Sequence, residues 1–258
     1  MEDRIYRLHY RGQLKENITN EQLETAVGRC MGNVRRAQKQ GRVLTAALYR
    51  SGRMLFLYYE AAGRPLAVTE PIVAGRNDGG EAQLLESGED MQTTCLYPDE
   101  MLAPLNGLLQ SWPGQRDDRL WVHMYHIYYH SLLRTAEDFR RSAVPEKRRG
   151  RIAFLREDKL FSYTYYHRAI VEEGLLQGDR YQSIALHENI LFSYFEEPKQ
   201  FVNIKNEPAQ QSKVIDEWLA VDPESHFIHM PEGGGENFMF LPALFALGVE
   251  DPAEDWDD

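Results

Sequence analysis

The stretch RIAFLREDKLFSYTYYHRAIVEEGLLQGDRYQSIALHENILFSYFEE, residues 151–197, decides how this chain is read. Its first part sets a helix. Glu157 and Asp158 suit the positive end of a helix dipole, and Leu160, Thr164, His167, Val171 and Leu175 recur at helical spacing. Gly174 and Gly178 stop it, because glycine reaches the left-handed backbone that closes helices. RYQSIAL (180–186) and ILFSYFEE (190–197) then read as two strands joined through His187-Glu188-Asn189, a hairpin pattern. Tyr163 and His167 stand four residues apart and share a helix face. A phenol beside an imidazole can exchange protons with a small polar ligand, so this pair is the sharpest candidate for chemistry.

Upstream, RVLTAALY (42–49), a Ser51-Gly52 turn and MLFLYYE (54–60) form another hairpin, and the two hairpins repeat each other. MLFLYYE against ILFSYFE keeps Leu, Phe, Tyr and Glu; RVLTAALY against RYQSIALH keeps Arg, Ala and Leu. Such self-similarity marks two copies of one unit. Residues 4–11 alternate as a strand, and 20–40 read as a helix with Asn20 as N-cap and Gly41 at its end. From Tyr97 a helix restarts, with Pro98 in its first turn and Trp112-Pro113-Gly114 at its close. WVHMYHIYYH (121–130) reads as a closing strand and aligns with FMFLPALFAL (238–247): Trp121 with Phe238, Met124 with Leu241, Tyr128 with Phe245. Pro242 implies an edge or bulged position there. A helix over 209–220 carries Trp218, and PEGGGEN (231–237) lacks the Lys-Ser/Thr of a phosphate loop and reads as a turn.

Strand, helix, hairpin, helix, strand, taken twice, predicts an α+β protein of two tandem ferredoxin-like halves. The first half spans 1–131 with an inserted loop at about 61–95, a linker covers 132–150, and 151–258 form the second half with the candidate site. Each sheet carries helices on one face, so its open face needs a cover. Packing sheet to sheet as an intrachain α/β barrel supplies it. The helix over 20–40 has neither His nor Tyr, which points to one site, in the second half.

With 43% apolar and 27% charged residues among 258, the composition is that of a globular protein with a sizeable core. A net charge of −11 argues against nucleic acid as a partner. MEDRIYRLHYRG (1–12) holds no apolar run, so neither a signal peptide nor a membrane span is expected. Cys30 and Cys95 offer no disulfide framework and are expected as packing residues in a reducing cytoplasm. Lys147, Arg148, Arg149 and Arg151 read as a solvated run. On a strand, His126 and His130 face one side and His123 the other, so no metal site is expected from them. His226 and His229 read as loop polars, and EDPAEDWDD (250–258) as a frayed end.

Tyr163, His167, the YHRAIV segment (166–171) and LFSYFE (191–196) fall in order on the pattern of the L-rhamnose mutarotases, small sugar isomerases with a ferredoxin-like fold. The chain resembles that family on those residues and departs from it at Val171 and Glu172, where the family has Trp and Pro. The resemblance implies interconversion of the anomers of a small monosaccharide by acid/base ring opening. His167 would be the principal acid/base and Tyr163 would orient or relay. Trp218, Tyr166, Tyr181 and Tyr194 would bind substrate. It implies no cofactor, and a monomer built as a pseudo-dimer, or a weak homodimer. Two other readings stay open: a non-catalytic sugar- or small-molecule-binding protein on the same scaffold, and a cofactor-free barrel monooxygenase.

Overall fold

In a computed structural model, described over residues 4–63, 95–113, 119–174, 179–199 and 212–252, two antiparallel sheets organise the chain. The first half runs β1 (Ile5–Gln13), α1 (Asn20–Lys39), β2 (Val43–Ser51), β3 (Met54–Ala62), a short α2 (Pro98–Met101) and β4 (Trp121–His123). The second runs β6 (Lys147–Leu155), α3 (Leu160–Glu173), β7 (Ser183–His187), β8 (Ile190–Glu197), α4 (Lys213–Ala220), a two-residue β9 (Phe227–Ile228) and β10 (Met239–Leu241). Within each half the strands lie in the same order, β2-β3-β1-β4 and β7-β8-β6-β10, as two ferredoxin-like units require. The α+β class and the repeat are thus present.

The closing strands depart from expectation. Each, a single strand by its sequence pattern, breaks midway and divides between the sheets. β4 pairs with β1 at home, whereas β5 (Tyr125–Tyr129) pairs with β7 of the second sheet. β10 pairs with β6 at home, whereas β11 (Ala243–Gly248) pairs with β2 of the first. The second break falls at Pro242, which has no N–H to give a ladder; its carbonyl accepts from the Arg50 N–H at 3.1 Å. The first falls at Met124, whose N–H donates to His9 O at 2.9 Å.

The basic run also differs. β6 opens at Lys147, so these residues belong to a strand and not to a linker. The Arg148 side chain is buried and ion-paired with Asp251 at 2.9 Å and with Glu250, and Arg149 meets Glu197 at 3.1 Å. Acidic partners on β8 and after β11 neutralise what a solvated surface would have left to water. The N-cap of α1 is Thr19, not Asn20: Gln22 N–H donates to Thr19 Oγ1 and Thr19 N–H to Gln22 Oε1, a reciprocal capping box. The strand expected from 180 begins at Ser183. The helix expected from Tyr97 is one short turn followed by a 3-10 segment, Ala103–Leu108, containing Pro104 and Gly107. Most of the 61–95 insertion, Gly114, Leu175, Gly178, residues 209–211 of the last helix and the tail from 253 lie outside the described residues.

Three apolar clusters make the core. Leu23, Val27, Cys30 and Val34 of α1 pack on Leu48, Leu57 and Tyr59 of the first sheet. Tyr163, Ile170, Ile215 and Trp218 of α3 and α4 pack on Ala153, Leu155 and Leu191 of the second. The middle cluster draws on both sheets, with Tyr49, Phe56 and Tyr58 against Ile152, Phe192 and Tyr194. Alternation along β8 explains the division: Leu191 points to the helices, and Ile190, Phe192 and Tyr194 point the other way. Gly150 permits close approach there, since a Cβ on it would lie 2.6 Å from Cγ of Tyr49.

The repeated Tyr-x-Glu meets itself in this middle layer. Tyr58 and Tyr194 stack at 3.5 Å and 6°. Their hydroxyls donate to Glu60 and Glu196 at 2.6 and 2.7 Å, and both carboxylates accept from Arg141 Nη2 at 2.6 and 2.7 Å. All three charged side chains are buried. Among the described residues no helix is long and apolar enough to cross a membrane.

Candidate functional site

α3 is rich in aromatic residues, which are mediocre helix formers, so tertiary contacts rather than propensity hold it. Its inward positions are Tyr163, His167 and Ile170, and Gly174 ends it with φ at 69°, its N–H directed at Ile170 O. α4 starts from Ser212, whose Oγ accepts from Ile215 N–H at 3.0 Å and donates to Glu173 of α3. That last bond ties the two helices together and sets Trp218 opposite Tyr163 and His167.

Four of the six expected site residues meet here. The rings of Tyr163 and His167 stack at 3.8 Å and 20°. Trp218 presents an edge to Tyr163 at 5.7 Å and to His167 at 5.2 Å. Tyr166 lies 5.5 Å from Trp218, and Tyr128 of β5 closes on His167 at 5.6 Å. Tyr128 reaches the cluster only because β5 has crossed into the second sheet, which the sequence did not signal.

Tyr194 and Tyr181 are elsewhere. Both pack in the middle layer, on the face of the second sheet turned away from α3. Tyr194 is engaged with Tyr58 and Glu196, and Tyr181 lies under the Arg141 guanidinium at 3.9 Å while its hydroxyl donates to Arg140 O at 3.1 Å. A strand sends successive side chains to opposite faces, and the sequence had not fixed which face β8 turned to the helices.

The electrostatics of the cluster follow from burial. His167 Nδ1 lies 2.9 Å from Tyr163 O; a carbonyl only accepts, so Nδ1 carries the proton and Nε2 keeps its lone pair. Burial pushes His167 down to about 4, with the carbonyl opposing and the nearby His226 adding slightly, so the imidazole is neutral at pH 7. Burial likewise drives the Tyr163 phenol well above its ordinary value, with Arg151 opposing. His226, expected as a loop polar, is fully buried against Trp218, its ring 4.8 Å away. His229 is exposed and bonds Glu224 and Asn237.

Elsewhere, two histidines meet as a pair. His126 Nε2 meets His9 Nδ1 at 2.5 Å in the middle layer, and His9 Nε2 reaches Ser183 Oγ at 3.2 Å. His123 lies against Tyr10, and His130 against the Tyr128 hydroxyl. Burial, then His126, Arg7 and His123, hold His9 well below the usual imidazole value. Among the described residues no group of three His, Cys, Asp or Glu side chains is placed to hold a metal ion. A hollow of about 490 Å³ lies on α1, lined by Glu21, Thr25, Arg29 and Pro104, and shares no residue with the cluster.

No protein-family model and no curated protein matches the chain. Two solved structures match in shape. One is a candidate monooxygenase from Lactobacillus acidophilus NCFM, at 7% identity and a TM-score of 0.41 over 94% of this chain and 96% of that one. The other is a candidate monooxygenase from Fusobacterium nucleatum subsp. nucleatum ATCC 25586, at 7% identity and a TM-score of 0.39 over 96% of this chain and 95% of that one. Likeness at this level bears on neither chemistry nor substrate.

Proposed function

We propose that the cluster on α3 and α4 is the reactive site of an oxygenase acting on a flat aromatic hydroxy compound without a cofactor. The observation that carries this reading is the setting of His167. It is a neutral base with its lone pair at Nε2, stacked on Tyr163 and edged by Trp218 and Tyr128. Walls of rings suit a flat substrate, and the lone pair on Nε2 can take a proton from a phenol or an acidic CH2 between aromatic rings. His167 takes that proton, and the resulting anion supplies the electrons that reduce dioxygen. One oxygen atom enters the CH2 as a carbonyl, and the other leaves as water. Tyr163 orients the imidazole and donates to the developing oxygen anion.

A pyranose fits this lining less well. It carries a hydroxyl on most of its carbons, and each needs a partner when buried. The cluster offers rings and the side chains of Ile170, Ile215 and Leu155. The mutarotase reading keeps one observation in its favour, the stacked Tyr163–His167 pair on a single helix face. The inward face of α1 carries Leu23, Ala26, Val27 and Cys30, so the first half has no counterpart of the pair and one site is proposed per chain.

With Tyr163 2% and His167 7% exposed, substrate reaches the imidazole when α4 and Trp218 shift. The same proposal takes the two sheets, with β5 and β11 exchanged, as one closed intrachain barrel and the protein as a monomer. Dioxygen uptake with anthrone, measured beside NMR exchange of rhamnose and glucose anomers, separates the two readings. Uptake above the spontaneous rate with no anomer exchange supports the oxygenase; the converse supports the mutarotase.

A further inference from the structure

Ser162 and His226 meet beside the cluster, and neither is used by the reaction above. Ser162 stands in the first turn of α3, and its Oγ lies 2.7 Å from Nε2 of His226. Across the ring, Nδ1 lies 3.2 Å from the carbonyl oxygen of Asp222. That carbonyl can only accept, so Nδ1 holds the proton, and the Ser162 hydroxyl donates to the lone pair on Nε2. This is the tautomer a general base needs to take a proton from a nucleophile, with a third group fixing the ring. The local fold enforces it. Asp222 has φ at 52°, a left-handed conformation rare for a residue with a side chain, and it opens the 3-10 turn Pro223–His226 that returns its carbonyl to His226. His226 is fully buried and Trp218 packs on its face, whereas Ser162 is only half-buried and borders solvent.

We propose that Ser162 is a nucleophile toward carboxylic esters carrying apolar or aromatic groups, with His226 as its base. The substrate class follows from the surroundings. Phe161, beside Ser162 on α3, is 91% exposed, and Tyr165, one turn further along the same helix, is 63% exposed. Ser162 Oγ adds to the ester carbonyl carbon as its proton passes to His226 Nε2. Collapse breaks the bond to the alcohol oxygen, which takes that proton as it leaves. Water then adds to the acyl-serine and gives a proton to His226. The acid departs as Ser162 Oγ recovers the proton, so ester and water yield acid and alcohol. His167 takes no part, and this proposal stands apart from the oxygenase reading.

The test uses the full chain with phenylmethylsulfonyl fluoride, followed by peptide mapping, and with p-nitrophenyl acetate near neutral pH. One sulfonyl adduct on Ser162 is expected. Hydrolysis above background should fall on the order of 10²–10⁴-fold in Ser162→Ala and in His226→Gln. Ser162→Cys adds a readout that a structural hydroxyl would not give: an introduced thiol alkylated by iodoacetamide faster than the same thiol in Ser162→Cys/His226→Gln, with the buried Cys30 and Cys95 as slow background. Mapping on the unsubstituted protein stands even where a variant fails to fold. No adduct, an adduct on another residue, or undiminished hydrolysis in Ser162→Ala overturns the proposal.

Discussion

His167 ties the site to pH. Its folded value, pushed down to about 4 by burial, lies below the ordinary 6.5, so the neutral base is present throughout the neutral range. The acid limb of kcat/KM is therefore expected near pH 4, and a limb near 6.5 would mean that the imidazole is solvated in the working enzyme. The same shift acts on stability. As pH falls, the unfolded chain takes up the proton first, so the contribution is whole above about 6.5 and is lost through about 4. Gly150 is the steric counterpart. In Gly150→Ala the added Cβ would lie 2.6 Å from Tyr49 Cγ, and overpacking of this kind costs about 1–3 kcal/mol, to be read from urea midpoints. The Tyr163–His167 pair was legible from its four-residue spacing. His226 was not, because its burial depends on the left-handed Asp222, and Asp222-Pro223 carries no sequence mark of that conformation.

At the scale of elements, the hairpins β2–β3 and β7–β8 were legible because each alternates around a short turn, Glu188 taking φ at 55° in the second. The exchange of β5 and β11 was not. Alternating strand residues fit either sheet equally, and only the geometry of the whole decides which edge they meet. Pro242 marked an irregularity without saying where the chain went next. This element gives a prediction of its own. Phe245 of β11 is buried in the first half's core although it comes from the second half of the sequence. Phe245→Ala is expected to cost about 3–5 kcal/mol. Hydrogen exchange should report the loss on β2, its ladder partner, and unchanged protection there would contradict the exchange.

For the whole molecule, Arg141 stands between the two repeats. Burial alone would raise Glu60, but the Arg141 guanidinium, with the Tyr58 hydroxyl, more than offsets it and holds the carboxyl below its usual value. Stability from this pair is present above the unfolded carboxylate range, about 4.3, and is lost as pH falls through the lower folded value. Arg141→Met would leave Glu60 buried without its ion-pair partner and Glu196 with only the longer contact to Arg148 at 3.9 Å, a loss of about 3–5 kcal/mol at pH 7. Because Glu60 would then be raised by burial, protonation relieves the penalty, and the deficit should shrink toward pH 5. A deficit independent of pH would mean that the arginine acts through packing alone. The sequence showed the repeated Tyr and Glu. It did not show that one arginine from the connecting segment serves both.

Dioxygen uptake with anthrone at pH 7, comparing the unsubstituted chain with His167→Ala, tests the proposed chemistry most directly. Uptake above the spontaneous rate is expected from the first, with a fall on the order of 10²–10⁴-fold in the second. Equal uptake by the two proteins, or none above background from either, would contradict His167 as the base of an oxygenase.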